Sequence, residues 1–133
     1  MIDEIRSQFD LAWALADLHL SGLAEDDVLW EPALLCWTVR PDSSGVWRPD
    51  WADVEPDPLP VPTIGWLTWH TGATPHDRTD VTWPGSGAAA VSRLRELAVR
   101  WREFLPRADL AQLSSFPWGL NADRTVAHTA LWV

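Results

Sequence analysis

The stretch Thr63-Ile64-Gly65-Trp66-Leu67-Thr68-Trp69-His70-Thr71 decides how the rest of the chain reads. Thr63 carries the short hydroxyl that favours a helix N-cap. Ile64, Leu67 and Thr71 then share one helical face, with Trp66 and His70 four apart beside it. Gly72 stops the periodic pattern, and Pro75 opposes its continuation. The stretch predicts a core helix of about two to three turns carrying one inward-facing histidine.

Upstream, residues 2–20 predict an amphipathic helix. Ile2, Ile5, Phe9, Ala12, Trp13, Ala16 and Leu20 recur at three- and four-residue steps, and Ser21-Gly22 closes the run. His19 falls in the last turn, where a cation complements the helix dipole. Leu23 to Trp30 reads as one or two helical turns broken by Pro32, and Leu34 to Val39 is a short apolar run that holds Cys36. Residues 40–62 read as a long connection punctuated by Pro41, Pro49, Pro56, Pro58, Pro60 and Pro62, with a turn at Asp42-Ser43-Ser44-Gly45. Asp50, Asp53, Glu55 and Asp57 form an acidic cluster there whose spacing matches no calcium loop.

Downstream, residues 73–87 read as irregular, and His76-Asp77 lies in a polar loop. Ser86 is a candidate N-cap for the clearest helix in the chain. Its apolar face is Ala90, Val91, Leu94, Leu97, Ala98, Trp101, Phe104 and Leu105, and Pro106 ends it. The arginines on its other face, with Glu96 and Arg100 four apart, predict a solvated surface. Asp109 to Leu113 reads as a short helical turn. A last helix, capped by Asn121 or Asp123, carries Val126, Ala127, Ala130 and Leu131 on its apolar side.

Composition bounds the function. With 133 residues the chain is most simply one domain, residues 1–133, long enough to bury a sizeable core. A net charge of -9 disfavours nucleic-acid partners, because such a surface repels phosphate. The basic residues are all arginine and no tyrosine occurs, which removes a Schiff-base lysine and a tyrosine acid. No apolar run is long enough for a membrane span. One cysteine and an acidic N-terminal stretch unlike a secretory signal predict the cytoplasm. Eleven tryptophans predict either a core filled with large rings or an aromatic-lined pocket.

Leu29-Trp30-Glu31-Pro32, Cys36-Trp37-Thr38-Val39-Arg40 and Pro62 to His70, in that order, resemble the DinB-like superfamily, with an actinobacterial flavour. Trp83-Pro84-Gly85, the arginine-rich helix and Thr125 to Val133 continue the likeness. The resemblance implies an all-α, up-down-down-up four-helix bundle, often dimeric. It also implies a divalent metal such as zinc or nickel held by three histidines, one on the second helix and two spaced four apart on the last. Relatives that use mycothiol, bacillithiol or glutathione make a low-molecular-weight thiol the implied co-substrate of a transferase, isomerase or hydrolase-type enzyme. His70 matches the second-helix ligand, and His128 is the candidate second metal ligand, with His76 or Asp77 as a third from the loop. The last-helix histidine pair would follow Leu131-Trp132-Val133, so the resemblance implies a shortened helix two and a curtailed helix four. Two functions follow: a metal-dependent enzyme, or a non-catalytic binding or structural module with an incomplete metal site. Shortened helices would expose apolar surface, which predicts a homodimer.

Overall fold

The computed structural model describes residues 1–72, 80–115, 119 and 123–132. Among them lie helix α1 (Ile2–Ser21), α2 (Glu25–Val28), strands β1 (Cys36–Trp37), β2 (Val39–Pro41), β3 (Trp47–Pro49) and β4 (Val61–Pro62). Helices α3 (Ile64–Gly72) and α4 (Gly87–Phe104), a 3-10 turn (Leu105–Arg107) and α5 (Val126–Trp132) follow. The chain divides into two compact units, Leu18–Leu97 and a second made of Met1–Asp17 with Ala98–Val133.

This corrects the expected all-α, up-down-down-up four-helix bundle. Only α1 and α4, with 20 and 18 residues, have the length of bundle helices; α3 has nine and α5 seven. The proline-rich connection is where the expectation fails. With the apolar run before it, it forms two two-stranded sheets, β1 with β4 in parallel and β2 with β3 antiparallel. Prolines at strand ends remove only donors that these short ladders do not need. The β2–β3 hairpin closes through Asp42, whose Oδ1 accepts from the Ser44 and Val46 amides at 2.8 and 3.1 Å. That is the local competition by a short acidic side chain that makes turns from such sequences.

In the Leu18–Leu97 unit, α3 lies at the centre of the core. Val28, Val39, Trp66, Trp69, Trp83 and Ala90 pack as one buried cluster, with Leu29, Trp37, Trp47 and Val81 against it. Gly65 is required by the approach of α3 to its neighbours. A Cβ there would stand 3.0 Å from Leu29 Cδ2, 3.1 Å from Val39 Cγ2 and 3.2 Å from the Val28 carbonyl. Thr63 caps α3 as expected, its Oγ1 accepting from the Trp66 amide at 3.2 Å and donating to Thr38 Oγ1 at 3.0 Å. Ser86 caps α4 through the Ala89 amide. A second anchor was not foreseen: Glu25 Oε1 accepts the Gly87 N–H at 2.6 Å, placing a carboxylate at the positive end of α4.

In the other unit, Ile5 and Leu105 are the buried apolar residues of the first helix and the 3-10 turn. Arg102 Nε donates to Asp10 Oδ1 at 2.7 Å, and its guanidinium lies over the Phe9 ring at 5.9 Å. The expected helical turn at Asp109 to Leu113 is present only as a turn, closed by Gln112 N–H donating to the Asp109 carbonyl. Leu113 instead bridges Thr125. Of the two expected caps for the last helix, Asn121 lies outside the described residues and Asp123 precedes the helix. Thr125 stands at its start, one residue before Val126.

Candidate functional site

His70 belongs to a column of rings. Trp51 stacks on Trp37 at 6.1 Å between centroids, Trp37 on Trp66 at 5.2 Å, and Trp66 on the His70 imidazole at 4.8 Å, the last pair within 11° of parallel. Trp69 meets the column edge-on, 5.5 Å from Trp66 and 5.9 Å from Trp51. Offset or edge arrangements at these spacings are the ones that aromatic quadrupoles favour. The buried face of α3 is Gly65, Trp66, Thr68 and Trp69. The expected face of Ile64, Leu67 and Thr71 is displaced, and Leu67 is exposed, because two indoles bury more apolar area than the aliphatic side chains they displace.

The polar groups around the column hold it in place. Trp66 Nε1 donates to the Asp50 carbonyl at 2.8 Å and Trp69 Nε1 to the Val81 carbonyl at 2.8 Å. Trp83 Nε1 donates to Thr68 Oγ1 at 2.9 Å, and that hydroxyl donates in turn to the Gly65 carbonyl at 2.7 Å. Asp50 anchors the segment that brings in Trp51: its Oδ2 accepts the Thr38 amide at 2.9 Å and lies 3.6 Å from Arg40 Nε, while its own amide donates to the Thr38 carbonyl. Arg40 also reaches Glu31 at 3.2 Å. Cys36 Sγ lies 2.8 Å from the Ala33 carbonyl.

The two candidate metal ligands belong to different units: His70 to Leu18–Leu97, His128 to the other. His128 is an exposed residue in the first turn of α5. Its Nδ1 accepts the Thr125 amide at 3.0 Å and lies 2.9 Å from Thr125 Oγ1. An imidazole here does what a glutamate does in a capping box, reaching back from the third helical position to the N-cap amide. The loop candidates His76 and Asp77 lie outside the described residues. Among the described residues no group of three His, Cys, Asp or Glu side chains is placed to hold a metal ion, so the donors described here do not fit a three-histidine site. No described helix is long and apolar enough to cross a membrane.

What sequence reasoning passed over is a group of exposed apolar side chains in the Leu18–Leu97 unit. Trp30 is 66% exposed, Leu34 fully exposed, and Leu35, Val54, Leu59 and Val61 exposed as well. Val61 N–H donates to the Leu35 carbonyl at 3.0 Å, so the two segments that carry them, 30–35 and 54–61, meet at the start of the β1–β4 pair. The available signal was the apolar run itself: Leu34 and Leu35 come just after Pro32-Ala33 and fit neither a helical nor an alternating pattern. Compared with protein-family models, curated proteins and solved structures, the chain matches none of them.

Proposed function

We propose that this chain is a non-catalytic binding module, in which a rigid tryptophan scaffold presents an apolar surface to a partner. The observation that carries the reading is the exposed set Trp30, Leu34, Leu35, Val54, Leu59 and Val61 on segments tied together at Leu35 and Val61. Clustered exposed apolar side chains are characteristic of association surfaces, whereas isolated ones are ordinary. The roles of titratable groups in the same unit support the same reading. His70 is stacked within the column, Asp50 braces the Trp51 segment and Glu25 caps α4.

A second reading rests on the match of Pro62 to His70 with the DinB-like pattern: a divalent-metal-dependent enzyme acting with a low-molecular-weight thiol. Metal analysis separates the two. The binding-module reading expects purified protein to hold well under one equivalent of zinc or nickel, to take up none on dialysis against either ion, and to melt at the same temperature with and without chelator. A metal bound to the folded state alone would raise that temperature. About one equivalent of tightly held metal, lost in His70→Ala, overturns the binding-module reading in favour of the enzyme.

A further inference from the structure

We propose that the surface formed by segments 30–35 and 54–61 docks a basic segment of a partner protein, one that alternates apolar anchors with arginine or lysine. The inference rests on the binding-module reading and names the chemistry of its partner.

Three features of the surface select this occupant. It is apolar, with exposed Leu34, Leu35, Leu59 and Val61 on two segments joined by the hydrogen bond from Val61 N–H to the Leu35 carbonyl. It is also acidic: along the same stretch Asp53, Glu55 and Asp57 are exposed and take part in no ion pair among the described residues. The basic residues of segment 30–61 are Arg40 and Arg48, and both are already engaged, Arg40 by Glu31 and Asp50 and Arg48 by Asp42. The stretch therefore attracts cations and has none of its own to spare. Trp30 adds a largely exposed indole, the ring type on which a guanidinium or ammonium is best held.

Charge also argues against a second copy of this chain as the occupant. Two such surfaces would set Asp53, Glu55 and Asp57 of one copy near those of the other, within a molecule of net charge -9. Pro32, Pro56, Pro58 and Pro60 restrict the backbone of both segments. Docking there costs less ordering entropy than docking on a flexible loop.

The test is fluorescence anisotropy with labelled dodecapeptides of alternating leucine and arginine, and of alternating leucine and glutamate, titrated with the intact chain. The Leu/Arg peptide is expected to bind at least about tenfold tighter than the Leu/Glu peptide, with the advantage shrinking as salt is raised. Leu34→Ser with Leu59→Ser is expected to weaken Leu/Arg binding by about tenfold or more, the scale of losing two buried leucine contacts. Asp53→Asn, Glu55→Gln and Asp57→Asn together are expected to weaken it several-fold and flatten its salt dependence. Leu11→Ser with Leu15→Ser, which removes exposed leucines from α1, is expected to leave binding unchanged and serves as the control for diffuse attraction. Tryptophan fluorescence checks that each variant is folded.

Equal binding of both peptides, abolished by Leu34→Ser with Leu59→Ser, would overturn the basic partner while keeping the binding surface. Insensitivity of both peptides to that double substitution would overturn the surface and the binding-module reading together. Sedimentation showing a dimer that the same double substitution dissociates would overturn the partner protein in favour of a second copy.

Discussion

Thr68→Val gives the sharpest test of how the tryptophan core is held. Valine keeps the branched shape of threonine but loses the hydroxyl. In the native unit Thr68 Oγ1 accepts from Trp83 Nε1 at 2.9 Å, and both residues are buried, Trp83 at 3% exposure. With valine in place the indole N–H keeps its burial and loses its acceptor. Leaving a buried neutral donor unsatisfied costs about 1–3 kcal/mol, more than the net value of the bond itself. For a chain of this size that lowers the melting temperature by roughly 3–5 °C per kcal/mol. Urea unfolding followed by far-UV circular dichroism measures it as a shift in midpoint at unchanged slope. The control is a double-mutant cycle. Trp83→Phe removes the N–H and pays for its own lost packing, so in its background Thr68→Val has no donor to strand. The pair is expected to couple, the double variant being about 1–2 kcal/mol more stable than the summed singles. A Thr68→Val cost under about 0.5 kcal/mol, or additivity within that margin, would refute the reasoning.

Gly87→Ala should destabilise by about 1–3 kcal/mol in the same urea assay, because the new Cβ would sit 2.6 Å from Val28 Cγ2 and 3.0 Å from Glu25 Oε2. His128→Ala should cost about 0.5–1.5 kcal/mol by removing the acceptor for the Thr125 amide, while His128→Glu restores a capping box and should recover most of it; equal losses in both would argue against the cap. The Ser44 hydroxyl, then the Arg48 guanidinium and the Ser44 amide, hold the Asp42 carboxyl well below the usual aspartate range. A depressed folded pKa stabilises above the unfolded value and is lost as pH falls towards the folded one. Carbon-detected NMR titration should therefore find Asp42 still ionised below the pH at which an ordinary aspartate side chain protonates, with the 42–46 turn loosening only at more acid pH.

The two long helices and α3 were legible because periodicity and a punctuating residue announced them. Residues 2–20 carry a helical apolar repeat, and the helix runs Ile2–Ser21. Thr63 and Ser86 are short hydroxyl residues just ahead of apolar runs, and both cap as such residues do. The strands were not legible. β1 and β4 have two residues each, too few for any alternation to register, and their pairing joins positions 25 apart in the chain. Prolines in residues 40–62 read as loop, yet Pro41, Pro49 and Pro62 lie in strands. His70 lies on the short helix that the periodicity predicts, and His128 was the expected second ligand. What spacing could not convey is that Trp66, four residues earlier, lies flat against the imidazole, and that His128 spends its Nδ1 on its own helix start. Both are short-range geometric facts that a list of residue types leaves open.

The ring column also shapes how the molecule interacts with light. Trp51, Trp37 and Trp66 are stacked at 5.2 to 6.1 Å, and Trp69 stands against two of them. Indoles this close share their electronic transitions, so the group absorbs as a coupled set. Exciton bands from that coupling overlap the far-ultraviolet signal of the helices and distort any helix content read from it. Excitation can pass between rings at such distances, and Trp66 lies flat against the His70 imidazole. Four of the eleven indoles that give the chain its intrinsic fluorescence therefore report on one small region around α3.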